Sequence, residues 1–191
     1  MLGIAALGRV VSTGSPSTER KASAMTDGDE PHAALMTGAH PGDADLLCLK
    51  GQLFEANDEP AEAAAAFSAA LAADPGCARA WALRGALAHR SGDPAGAIAD
   101  LERARTLSDA PGIRFDLAVV YHAITRNDLA VELLDAILAE VEDPAARLQR
   151  ASCLLDLGRV EDAREDLLVC LAVGPEYLSQ VHELMPELTH A

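Results

Sequence analysis

Apolar residues return every three or four positions from about Asp43 to Met185, the spacing of helices that each bury one face. In LLCLKGQLFEAN, residues 46–57, leucines and Phe54 recur at this interval around Gly51. NDEP then interrupts the pattern, and Pro60 suits the first turn of a second helix, AEAAAAFSAALAA, which stops before Asp74 and Pro75. The same sequence of events follows three more times. Taking one alanine of each copy as a ruler, Ala63, Ala97, Ala130 and Ala163 are 34, 33 and 33 residues apart. Upstream stand Gly51, Gly85, Ala118 and Ala151, then Phe54, Ala88, Tyr121 and Leu154; downstream stand Phe67, Leu101, Leu134 and Leu167. A period of this length means stacked supersecondary units.

The punctuation agrees. NDEP, SGDP, TRND and LGRV lie within the copies, and ADPG, SDAP, VEDP and VGPE between them. Proline lacks the amide proton and restricts the residue before it, so helices end there. Connections this short force consecutive helices to lie antiparallel. The spacing predicts helix pairs over about 44–77, 78–110, 111–143 and 144–175, and a capping helix at 176–185, EYLSQVHELM, covering the last apolar face. Residues 1–42 are rich in Ser, Thr, Gly, Pro and Asp without an apolar period, so they read as a disordered tail, with a short helix near Ala33 to Met36.

Composition adds limits. Half of the 191 residues are apolar yet 3% are aromatic, so the core packs through alanine and leucine. The formal charge of −15 disfavours nucleic acid, whose phosphates need clustered Lys and Arg, and favours basic partners. Cys48, Cys77, Cys153 and Cys170 form no C-x-x-C pair and read as reduced packing thiols, which points to a reducing, cytoplasmic compartment. MLGIAALGRVV lacks a basic start and is broken by Arg9, so it does not read as a signal peptide, and Met25 is an alternative start. No apolar run reaches the ~18 residues of a membrane span. Thirteen arginines against two lysines, with abundant alanine, suggest a GC-rich bacterial coding sequence.

The chain resembles the tetratricopeptide repeat family. AWALRGALAHRSGDPAGAIADLERA carries the tryptophan (Trp81), small residue (Gly85), turn glycine (Gly92) and ruler alanine (Ala97), and LGRVEDAREDLLVCLAVGP adds Gly158, Ala163 and Pro175. It departs from the family pattern in having one tryptophan, no turn glycine in the third copy, and Ala88 at an aromatic position. The resemblance implies an all-α, right-handed solenoid of four repeats plus a capping helix, with a concave groove lined by each first helix. Spacing from the small residue puts Cys48, Gln52 and Glu55 on that face, then Ala82, Ala86, His89 and Arg90, then Phe115, Val119 and His122, then Leu148, Ser152, Leu155 and Asp156. Ordinary helix packing, or the C-terminal helix folded back into the groove, is the competing role for Phe115, Val119 and Leu148.

Such a groove, small and apolar, suits an amphipathic helix or apolar peptide. The family's clamp for acidic chaperone tails needs several Lys, Arg and Asn there, and only Arg79 and Arg90 are present. Glu55, His89 and His122 form a column that resembles a metal set. Helices two apart in a stack are separated by two packing distances of about 8–10 Å, far beyond ligand bonds of about 2 Å, so solvated histidines that tune binding with pH are the expectation. No cofactor is implied and no catalytic motif is present. VEDAREDLL reads as a solvated helix face with intrahelical pairs. The resulting expectation is a non-catalytic adaptor for another protein. Its alternatives are a chaperone-like shield for an apolar client, an accessory subunit of an enzyme, and self-association through an uncapped N-terminal repeat.

Overall fold

The computed structural model describes residues 41–189. The expected tail, its short helix near Ala33 and the alternative start at Met25 lie outside these residues. The described chain is helical, in the order α1 (Pro41–Ala56), α2 (Pro60–Ala73), α3 (Ala78–Arg90), α4 (Pro94–Leu107), α5 (Pro111–Ala123), α6 (Asn127–Leu138), α7 (Pro144–Asp156) and α8 (Val160–Val173). A 3₁₀ turn at Pro175–Tyr177 leads into α9 (Leu178–Leu184), followed by a second 3₁₀ turn at Pro186–Leu188. Helix α1 begins two residues before the expected Asp43.

Each of the four pairs closes through the same turn. Asp58, Gly92, Thr125 and Gly158 all have positive φ, at 62, 81, 61 and 74°. Just past them, the amides of Glu59, Asp93, Arg126 and Arg159 donate to the carbonyls of Phe54, Ala88, Tyr121 and Leu154 at 2.8–2.9 Å. This is a Schellman end, which satisfies carbonyls that the helix leaves open and demands a left-handed residue. Two repeats supply glycine there. The other two force an L-residue into the same conformation, so the third repeat's missing glycine changes the cost of the turn and leaves its register intact.

The next helix starts as cleanly. Proline occupies the first turn of α2, α4, α5 and α7, where its absent N–H is not missed. Asp93 accepts from Gly96 N at 2.9 Å and Asp143 from Ala145 N at 2.9 Å, capping α4 and α7.

Within a pair the ruler alanines are wholly buried, as are Phe67, Leu101, Leu134 and Leu167. Gly51 and Gly85 let the helices close on these side chains. A Cβ on Gly51 would strike the Phe67 ring, and one on Gly85 would lie 2.8 Å from Leu101 Cγ. Between pairs, α2 packs on α3, α4 on α5, and α6 on α7. Val181 and Met185, 0 and 3% exposed, join the cluster of Leu167 and Cys170, so α9 seats against α7 and α8.

Candidate functional site

First helices touch directly along the stack, α1 on α3, α3 on α5 and α5 on α7. They form one continuous layer carrying the expected groove residues. Gln52, Glu55, Ala82, Ala86, His89, Phe115, Val119, His122, Leu148, Ser152 and Leu155 are all partly buried, and Arg90 is exposed. Four of these also hold the repeats together. Phe115, Leu148 and Leu155 pack against the cluster of the third and fourth repeats, and Ala82 against that of Ala97 and Leu117.

Polar side chains cross-link the layer. Arg90 pairs with Glu55 between α3 and α1, and Arg79 donates to Gln52 Oε1 at 2.7 Å between the same helices. Between α5 and α7, His122 Nε2 lies 2.9 Å from Asp156 Oδ2, and Gln149 Nε2 lies 2.6 Å from His122 Nδ1. The amide donating to Nδ1 and Nε2–H donating to the carboxylate make one consistent tautomer. Asn127 Nδ2 reaches the same Asp156 oxygen at 3.4 Å, while its own buried Oδ1 has no protein partner. Burial pushes the Asp116 carboxyl up, against the opposing pull of Arg90 and His89.

Several expectations change at this point. Cys48, placed on the groove face by spacing, is fully buried in the cluster of Ala44, Ala70, Leu71 and Ala80. It sits beside Cys77, and burial first, then that neighbour, pushes its thiol up to about 11. Burial likewise raises Cys153 to about 11, and Cys170 in the same direction. His122 has two hydrogen-bond partners rather than water alone. Glu55, His89 and His122 are not gathered as ligands, and no group of three His, Cys, Asp or Glu side chains that could hold a metal occurs among the described residues.

The reading of VEDAREDLL as wholly solvated is also corrected. Arg159 and Asp162 do form an exposed pair, but Asp166 is 2% exposed and accepts from Arg150 at 2.6 and 2.7 Å and from Arg147 at 3.1 Å. Asp135 adds a second carboxylate to Arg150, whose pKa is raised chiefly by its hydrogen bond to Asp166. The second repeat has the same device, with Arg84 bound by both oxygens of Asp100 at 2.7 and 2.8 Å while its guanidinium stacks 4.9 Å over the Trp81 ring. Arg84 and Arg150 each precede the small residue, and Asp100 and Asp166 each lie three beyond the ruler alanine. The third repeat puts Leu117 and Leu133 in those two places. The second and fourth repeats therefore pair charges where the third pairs leucines and the first has Lys50 and Ala66, a signal readable from the aligned copies.

Stacked antiparallel pairs, a shared turn and a continuous layer of first helices define a helical-repeat solenoid. The chain is a tetratricopeptide repeat protein: two models of that repeat match residues 48–112 and 88–150. No curated protein matches it. Among solved structures it is similar to PilW, a type IV pilus biogenesis factor, at 18% identity and a TM-score of 0.69 over 76% of this chain and 71% of that one. It is similar to YrrB, described as having an unusual peptide-binding site, at 19% identity and a TM-score of 0.60 over 80% of this chain and 92% of that one. The first repeat domain of Spaghetti (RPAP3), solved with the HSP90 peptide SRMEEVD, matches at 18% identity and a TM-score of 0.60, over 63% of this chain and 98% of that one. These likenesses concern the fold. No described helix is long and apolar enough to cross a membrane.

Proposed function

We propose that this chain is a non-catalytic adaptor that holds a short helix or apolar peptide of another protein against the layer of α1, α3, α5 and α7. The observation that carries this reading is the chemistry left open on that layer. Ala86, Val119 and Ser152 remain part-exposed at its middle, while the charged groups nearby are engaged with one another as Glu55–Arg90 and His122–Asp156. A surface of small and apolar groups with its charges internally matched rewards burial of an apolar partner face. It offers little to an acidic tail, because Arg79 and Arg90 already face Asp45, Gln52 and Glu55. The peptide bound to one similar fold and the peptide-binding site named for another support a protein partner as a class.

The test is affinity capture with the full chain and with an Ala86→Glu plus Val119→Glu variant, whose folding is checked by circular dichroism. The folded variant is expected to lose the partners that the wild type retains. Unchanged capture by the folded variant removes this face from the function.

A further inference from the structure

We propose that the outer face of α1 docks onto α1 of a second copy of this chain, in an antiparallel pair about a two-fold axis. Leu46, Leu49 and Leu53 are 66, 53 and 63% exposed. Within the array the counterparts of Leu46 and Leu53 are covered, while those of Leu49, which are Leu83, Asp116 and Gln149, are part-buried. Ala80, Ile113 and Ala146 take the place of Leu46, and Leu87, Val120 and Cys153 the place of Leu53; all six are buried, none above 8% exposed. They lie on α3, α5 and α7, the helices against which the preceding repeat packs. The outward leucines of α1 therefore occupy a stacking surface that no repeat covers among the described residues.

Helix α1 is apolar on two opposite sides. Ala44, Cys48 and Gly51 face inward and are buried. Outward, Gly42, Leu46, Leu49, Leu53 and Ala56 follow one another at alternating intervals of four and three residues. That is the seam spacing by which two helices interlock side chains along their length. An antiparallel pairing that sets Leu46 against Leu49 of the second copy also brings Lys50 of each close to Asp43 of the other. Opposite charges on the flank ease the approach of two chains that each carry −15.

The contact is symmetric because one face of α1 meets the same face of the second copy. At the other end of the stack α9 exposes Ser179, Gln180 and Glu183 together with Leu178, which is 48% exposed. Pairing identical faces of α1 leaves neither of them over, so the assembly stops at two. Three leucines a side bury less than the roughly 800 Å² per partner of a standard stable interface. The dimer is therefore weak and reversible.

Sedimentation equilibrium of the full chain, from low micromolar to near-millimolar concentration, tests this. The wild type is expected to pass from monomer to dimer as concentration rises. Leu46→Glu plus Leu53→Glu changes only exposed positions, so it should keep its melting temperature and weaken association at least tenfold. Leu168→Glu plus Val173→Glu, on the exposed apolar stretch of α8, should dimerise like the wild type. A wild type that stays monomeric throughout, a dimer that survives the α1 substitutions, or association lost in the α8 variant each overturns the proposal. The first of these leaves α1 to a helix of another protein, and the last indicates a head-to-tail contact.

Discussion

Replacing Thr125 by glycine should stabilise the protein. Thr125 has φ of 61°, in the left-handed region, because the turn between α5 and α6 requires it. This conformation costs an L-residue about 1–2 kcal/mol through crowding of Cβ against the carbonyl oxygen, and a β-branched side chain is among the least suited to it. Glycine removes that cost but adds about 0.4–1 kcal/mol of chain entropy to the unfolded state. The side chain of Thr125 is exposed and the turn bond is made by its backbone, Thr125 N to His122 O at 2.8 Å, so the substitution sacrifices no hydrogen bond seen here. The net gain is about 1 kcal/mol, or a melting temperature higher by about 2–4 °C for a domain of this size. The reverse change, Gly158→Thr, meets open space around the new Cβ yet places it at φ of 74°, and should lower stability by a similar amount. Calorimetry and denaturant midpoints of both variants measure the pair. Equal stability of Thr125→Gly, Gly158→Thr and the wild type would refute the reasoning, since strain in the left-handed turn would then be absent.

Gly51→Ala should lose about 1 kcal/mol despite alanine's helix preference, because the new methyl meets the enclosed Phe67 ring, whereas Gly112→Ala, with nothing near its Cβ, should be neutral or stabilising; thermal melts compare them. Asp100→Leu alone should destabilise by about 1–2 kcal/mol by stranding Arg84, and adding Arg84→Leu should recover most of it, since Leu117 and Leu133 fill the same places in the third repeat; chemical denaturation of the cycle checks this. Native alkylation followed by mass spectrometry should label Cys77 well before Cys48, Cys153 and Cys170, which are enclosed and whose thiols ionise only at high pH; equal labelling of all four would contradict their burial. The folded-state pKa of Asp116 is raised above its ordinary 3.8, so the group favours folding at acid pH and loses that contribution as pH climbs through the raised value. Asp116→Asn should thus gain stability over the wild type at pH 7, and a melting series should show the difference shrinking towards pH 3.

The scaffold was legible because each copy repeats the same close contacts. Gly51 and Gly85 can stand opposite Phe67 and Leu101 only where helices nearly touch, and Pro60, Pro94 and Pro144 mark helix starts directly. Spacing carried further than glycine did, since Thr125 holds the turn that its identity concealed. The face of α1, α3, α5 and α7 was less legible, because one helix buries part of its circumference against its own partner and part against the neighbouring repeat. Cys48, counted outward, is packed inward where these two contacts meet, with Ala70 and Leu71 of its own partner helix and Ala80 of the next repeat. Charges misled in a different way. In VEDAREDLL the alternation of signs suggests pairing within one helix, but Asp166 finds Arg147 and Arg150 on α7, a choice that depends on which face is turned inward. His122 likewise gains Asp156 and Gln149 from the next repeat, across 34 and 27 residues.

Hydrogen–deuterium exchange of the full chain, alone and with a captured partner, tests most directly whether the layer of first helices receives that partner. Slower exchange is expected along α3, α5 and α7, centred on Ala86, Val119 and Ser152, with the amides of α4, α6 and α8 unchanged. Protection confined to α4, α6 and α8 would contradict the assignment of the binding face.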